Sequence, residues 1–147
     1  MKEGTTRLLA ASIFLWTAAV PDLRTKRIPV WIPAVHIPAA IAWDLFSSAA
    51  ERHELWMGAV TGSLLLLLSL LSGGKIGEGD GICLLICGLY VGAAKTILIA
   101  ETALMTAAAA GTVLLFIKRC RADDRLPFVP FLAAWSTILL LRALGGG

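Results

Sequence analysis

Apolar residues in this chain come in long dense runs, set apart by prolines, glycines and small clusters of charge. Six such runs can be marked, at roughly 6–21, 30–46, 55–71, 82–94, 97–117 and 128–144. A helix crossing the hydrocarbon core of a bilayer needs about 20 mostly apolar residues, so each run reads as a membrane-spanning helix. The fourth is short for a full crossing. Pro33 and Pro38 interrupt the second, which is tolerable where neighbouring helices satisfy the freed backbone groups. The third carries an unbroken leucine run at 64–68, and the fifth is rich in alanine. Its small residues at 107–110 and Gly111 are expected to let helices approach closely. The expected fold is all-α: a polytopic membrane protein of about six transmembrane helices with short loops, forming one domain over residues 1–147.

Composition strengthens that reading. Of 147 residues, 58% are apolar and only 16% charged, and the mean hydropathy is +0.82. An ordinary soluble domain runs at about 45–50% apolar and about 25% charged. A chain this poor in charge does not cover a water-facing surface, so a soluble enzyme, a disordered tail and a nucleic-acid-binding domain are poor fits. The first run has the basic flank of a signal peptide, but further spans follow it rather than an exported domain. Three cysteines make no disulfide framework, and no CxxC pair offers the usual zinc spacing. Cys83 and Cys87, one helical turn apart in an apolar run, read as small buried hydrophobes.

The net charge of +3 is small, and in a membrane protein the basic residues report orientation. With six spans, Arg24, Lys26, Arg27, Lys75, Lys118, Arg119, Arg121 and Arg125 fall on one side; Lys2, Arg7, Arg52, Lys95 and Arg142 fall on the other. The positive-inside rule puts the first group in the cytoplasm and both termini outside.

Ionisable groups at membrane depth are costly and suggest function. Asp44 and Glu101 lie towards the outer ends of their runs and read as interfacial or packing residues. Asp22 and Asp80 differ. Asp22 follows Pro21 at the cytoplasmic end of the first span, and Asp80 sits in Gly77-Glu78-Gly79-Asp80-Gly81 at the cytoplasmic start of the fourth. This topology brings two carboxylates to one membrane face. Neighbouring carboxylates do not both ionise easily, so the pair shares a proton. The ionised member can take a proton from water while the protonated one donates to a carbonyl. The glycines are expected to supply positive φ and close backbone approach. Taken alone, Asp80 reads better as an N-cap.

Asp22-Leu23-Arg24-Thr25-Lys26-Arg27-Ile28-Pro29 resembles the first motif of the type IV prepilin peptidases, and Gly77-Glu78-Gly79-Asp80 resembles their second. Leu126-Pro127-Phe128-Val129-Pro130-Phe131 is similar to the Pro-Phe segment that opens their last helix. The resemblance implies an aspartic-type endopeptidase of the inner membrane, with its active site near the cytoplasmic face. Such an enzyme removes the short basic leader from prepilins or pilin-like proteins. It implies Asp22 and Asp80 as the catalytic pair, Gly77, Glu78, Gly79, Gly81 and Pro29 as loop-positioning residues, and neither metal nor organic cofactor. The partners implied are a prepilin or pilin-like precursor and the lipid bilayer, and no nucleic acid. Larger members carry a cysteine-bearing insert near the N-terminus and also N-methylate the product. This sequence lacks that insert and resembles the compact, peptidase-only branch, so methyl transfer is not expected.

Two departures stand out: the family's Ile-Pro-Asn is Ile28-Pro29-Val30 here, and its lysine two places after the second aspartate is Ile82. They motivate one alternative, an inactive relative serving as an assembly subunit. A second alternative is a small ion- or proton-coupled transporter, although such carriers tend to place carboxylates near the midplane within a repeat. No repeat is visible here.

Overall fold

In the computed structural model residues 3–71, 77–117 and 127–146 are described, save the side chains of Leu65 and Ser69. The described residues form six helices: α1 Glu3–Thr25, α2 Trp31–Leu45, α3 Ala49–Leu71, α4 Glu78–Val91, α5 Ala93–Phe116 and α6 Val129–Gly145. Each of the six apolar runs has become one helix, and among the described residues there is no strand. Among the described residues one helix, α5, is both long and apolar enough to cross a membrane by itself.

Helix ends differ from the apolar runs for local reasons. The helix α1 does not stop at Pro21 but continues through Thr25, so Asp22 lies within its last turn. Proline removes one N–H and leaves the carbonyl below it free, yet the turn survives with the Thr25 hydroxyl donating to the Pro21 carbonyl at 2.9 Å. The helix α3 starts six residues before the apolar run, because Ser48 and Glu51 cap it reciprocally. Glu51 N–H donates to Ser48 Oγ at 3.3 Å, and Ser48 N–H donates to Glu51 Oε2 at 3.1 Å, the two arms of a capping box. The helix α2 has no such device: its N-cap is Val30, without a side-chain hydrogen bond.

The short helix α4 is central. It packs against α1, α2, α3 and α5, and Cys83, Leu84, Ile86, Cys87, Leu89, Tyr90 and Val91 are all buried. Both cysteines are fully enclosed, as small hydrophobes would be. The closest helix pair is α3 with α4, and glycine makes it so. A Cβ on Gly58 would stand 2.5 Å from the Gly88 carbonyl oxygen, and one on Gly81 2.6 Å from Leu66 Cα. Real side chains do not reach such distances, so backbone rests directly on backbone. The alanine-rich run of α5, expected to serve this purpose, is half-buried to exposed; close approach belongs to α3 and α4.

In α1 the buried positions include Leu8, Ala11, Leu15, Ala18 and Asp22, a stripe at the three- and four-residue spacing of one helix face. It packs mainly against α6 and α4. The outward faces are apolar as well: Ile13 and Val20 on α1, Leu64 and Leu71 on α3, and Leu104 and Phe116 on α5 are exposed. Apolar surface on this scale marks a molecule made for a non-aqueous or protein-covered environment.

Candidate active site

The buried stripe of α1 ends at Asp22, which is 7% exposed. Beyond it the chain reverses at Lys26, whose φ of 53° is the one left-handed non-glycine conformation among the described residues. Lys26 N–H donates to the Asp22 carbonyl at 2.9 Å, closing the helix as a left-handed cap does. A residue with a Cβ in that conformation is strained by about 1–2 kcal/mol, so the surrounding structure holds it there. The turn sends Ile28 and Pro29 back over the start of α4: a Cβ on Gly79 would lie 2.8 Å from Ile28 Cδ1. Pro29 then opens α2, its carbonyl accepting from Ile32 N–H at 3.1 Å.

Gly77 is the N-cap of α4, in extended conformation at φ −66°. Asp80 is therefore not the N-cap but a first-turn residue, its N–H donating to the Gly77 carbonyl at 3.1 Å. Its carboxylate folds back over the helix start; a Cβ on Gly77 would come within 2.6 Å of Asp80 Oδ2. The expectation of positive φ in this motif is not met. Among the described residues the one glycine with positive φ is Gly92, at +81°. The motif's glycines instead give room: Gly77 to Asp80, Gly79 to Ile28 and Gly81 to Leu66 of α3. Glu78 is exposed at the mouth of this turn.

The two carboxylates lie just beyond the apolar runs 6–21 and 82–94, and they sit in unequal surroundings. Val129 N–H, at the start of α6, donates to Asp22 Oδ2 at 3.3 Å. Burial raises the pKa of Asp22, but that N–H and the charge of Lys26 pull it back down. Among the described residues Asp80 has less help. Burial raises its pKa first and the negative charge of Asp22 raises it further, as one carboxylate does to another nearby. By surface area Asp22 is the more enclosed, yet Asp80 is the more perturbed: its carboxylate is the more strongly desolvated, and among the described residues it has no counterpart to the Val129 N–H and Lys26 that act on Asp22. These surroundings favour the charge on Asp22 over the charge on Asp80. Two helix N-termini, of α4 and α6, also point into this end, where their dipoles favour an anion.

The Pro-Phe segment thereby acquires a structural part, since it opens the helix whose first N–H holds Asp22. No side-chain pattern announces a backbone donor, so the motif alone gave no hint of it. The remaining acidic residues stand apart. Glu101 is exposed on α5. Asp44, read as an interfacial or packing residue, is buried at 3% exposed, with Oδ1 lacking a hydrogen-bond partner among the described residues. Cys120, Asp123, Asp124 and the basic cluster 118–125 lie outside the described residues. Among the described residues no three His, Cys, Asp or Glu side chains gather as metal ligands would.

A family model for the type IV leader peptidase family matches residues 9–117, well over half of the chain and including both Asp22 and Asp80. The chain belongs to the type IV leader peptidase family. Membership makes it a leader-peptidase-type protease in general terms. Searches of curated proteins and of solved structures each found no match. The match ends before α6, so the hydrogen bond from Val129 to Asp22 lies between the matched region and the rest of the chain.

Proposed function

We propose that this chain is a multi-pass aspartic endopeptidase of the cytoplasmic membrane. It removes the short basic leader from type IV prepilins or pilin-like proteins at the cytoplasmic face. The observation that carries the reading is the unequal pair: Val129 N–H and Lys26 favour the charge on Asp22, while burial and the neighbouring charge of Asp22 favour the proton on Asp80. The apolar outward faces support the membrane setting, and six helices in the expected order support the multi-pass topology.

Asp22 acts as general base. It takes a proton from water as the oxygen attacks the scissile carbonyl carbon, while Asp80 gives its proton to the carbonyl oxygen. A neutral tetrahedral diol results. Asp22 then passes its proton to the leaving amide nitrogen, the C–N bond breaks, and Asp80 recovers a proton from the diol hydroxyl. Acid, amine and the starting protonation of the pair are all restored. Glu78, exposed beside Asp80, attracts the basic leader. Gly77, Gly79, Gly81 and Pro29 hold the geometry without touching the reacting atoms.

The test is cleavage of a prepilin by the purified chain in reconstituted membranes. Release of the leader, lost in both Asp22→Asn and Asp80→Asn, is the expected result. An intact precursor under conditions where an active leader peptidase cuts it would favour the inactive assembly subunit. Proton or ion flux abolished by the same substitutions, without cleavage, would favour the transporter.

A further inference from the structure

The first turn of α4, which carries Asp80, meets two neighbours. Gly79 and Gly81, two positions apart on a helix, face nearly opposite ways. At Gly81 the neighbour is α3: an added Cβ would stand 2.6 Å from Leu66 Cα and 2.9 Å from its backbone nitrogen, so main chain rests on main chain. At Gly79 the neighbour is the side chain of Ile28, which is half-buried and packed against the core. A Cβ on Gly79 would stand 2.8 Å from Ile28 Cδ1, 3.3 Å from Cγ1 and 3.8 Å from Cβ. The whole isoleucine therefore lies along bare backbone, one residue before Asp80.

Ile28 is fastened in turn to Asp22. Lys26 N–H donates to the Asp22 carbonyl at 2.9 Å. The Thr25 hydroxyl reaches the Pro21 carbonyl at 2.9 Å and the Arg27 carbonyl at 3.2 Å. Among the described residues no hydrogen bond joins residues 22–30 to residues 77–82. What joins the turn after Asp22 to the turn of Asp80 is apolar contact. Such a contact sets distance, because a close-packed interior responds to a single added or lost methylene. Isoleucine suits this use, being branched at Cβ and stiff about χ1.

We infer that Ile28 is a positioning residue of the proposed peptidase, a spacer lodged on Gly79 that sets how near Asp80 stands to Asp22. It acts through the two carboxylates, so the inference rests on the aspartic reading of the function. The charged groups around Asp80 are few: Asp22 on α1, Lys26 in the turn beyond it, and Glu78 on its own helix. The thiol of Cys83, fully buried, lies one turn further along α4. Among the described residues the first turn of α6 brings no charge. The described charges of α3 and α5 lie in their first halves, which begin at the far end of the bundle, and α2 offers His36 in its second turn. The spacing of the two aspartates is thus the quantity that Ile28 controls.

The experiment times prepilin cleavage across pH by the purified full chain in reconstituted membranes, with thermal midpoints measured alongside. Ile28→Ala removes the spacer and is expected to lower kcat/KM about 10–100-fold, mostly through kcat, the scale of a small misplacement of reacting groups. Asp80 then feels the charge of Asp22 less and water more, so the alkaline limit of activity is expected to move to lower pH. Gly79→Ala overfills the same contact and is expected to slow cleavage too. Adding Ile28→Val removes the Cδ1 that the new Cβ meets and is expected to recover part of the loss. The 3.8 Å between the β carbons suits a disulfide, so the Ile28→Cys, Gly79→Cys double variant is expected, once oxidised, to cleave at least as fast as its reduced form. An unmoved alkaline limit in Ile28→Ala or, where that variant does not fold, in Ile28→Val would overturn the role. So would parent-like cleavage by Gly79→Ala, no recovery in its Ile28→Val partner, or loss of cleavage on oxidation. A parent that leaves prepilin intact sinks the function and this role together. A parent that cleaves, with both aspartate variants inert and Ile28→Ala unchanged, sinks this role alone.

Discussion

The two ends of α1 carry its two buried charged residues, Arg7 and Asp22, about 22 Å apart along one helix, and the structure treats them in opposite ways. At Asp22 the burial is matched: a backbone N–H from α6 reaches the carboxylate, Lys26 lies one turn on, and two helix N-termini face it. Its neighbour Asp80 has no such partner among the described residues, which on the proposed mechanism suits it to carry the proton of the pair. At Arg7 the burial is half matched, by a hydroxyl and an aromatic face, and Nη1 is buried without a partner among the described residues. One end has partners that set two carboxylates apart, as the proposed chemistry requires. The other has a buried cation with one donor unmatched among the described residues. Equal burial thus goes with unequal electrostatic support.

The hardest blow to this comparison is removal of either carboxylate. Asp22→Asn or Asp80→Asn is expected to lower cleavage by about 10³-fold or more, because each removes half of an acid–base unit. Asp44→Asn and Glu101→Gln are expected to keep most of the activity. Leader release timed with purified protein and prepilin measures all four. Near-parent cleavage by either Asp22 or Asp80 variant would end the pairing.

Next in size is the packing that brings α4 to its place. Gly88 faces Gly58 backbone to backbone, so Gly88→Val has no room and is expected to cost about 3 kcal/mol or more. Gly145→Ala, where nothing lies within 4 Å of the added carbon, is expected to be nearly silent. Thermal unfolding in detergent compares them. A stable Gly88→Val protein would mean that α3 and α4 do not meet as described.

Much of this was readable in the sequence, and the failures have physical causes. Helix number and order follow from apolar run length, because lipid leaves the backbone few alternatives to a helix. Helix starts were misjudged where polar residues begin a helix: the Ser48-x-x-Glu51 capping box was there to read, but hydropathy passes over it. Asp22 and Asp80 were legible by motif, whereas Val129 was not, since a main-chain donor leaves no side-chain signature. Close packing was assigned to alanines of α5, yet Gly58-x-x-x-Gly62 on α3 is the small-residue spacing that marks such a face. Arg7 read as an orientation marker, although its place beside the stripe 8, 11, 15, 18, 22 puts it on the inward face.

A finer test sharpens the asymmetry of the pair through pH. On the proposed mechanism cleavage needs Asp22 ionised and Asp80 protonated, so activity is expected to fall in acid as Asp22 takes a proton and in alkali as Asp80 loses one. With both values raised by burial, the active window lies above the ordinary carboxylate range. Lys26→Ala removes a charge that favours ionised Asp22, and the acid limb is expected to move to higher pH. Ile82→Lys adds a cation two residues from Asp80, favours its ionised form, and is expected to move the alkaline limb to lower pH. Because the two groups are coupled, each limb reports the pair, but the opposite directions of the two shifts remain diagnostic. Both limbs moving the same way in both variants would contradict the assignment of base to Asp22 and acid to Asp80.

The smallest effect concerns the entry to α2, which separates the turn at the aspartates from the well-capped entry to α3. Ser48 and Glu51 satisfy the first amides of α3, while Val30 at the head of α2 is 83% exposed and offers its helix no acceptor. Val30→Asn supplies a side-chain oxygen there, and an N-cap of this kind is worth about 0.5–2 kcal/mol. The low end is expected, because Val30 now has helical backbone angles, φ −59° and ψ −26°, and a capping residue prefers an extended conformation. The substitution also removes an apolar side chain from an exposed position at no packing cost. A modest rise in the thermal midpoint with unchanged pH limbs is the predicted outcome. A shifted pH profile would show instead that residue 30 reaches the carboxylates, and that the turn over Gly79 is part of the electrostatics of the pair rather than its scaffold.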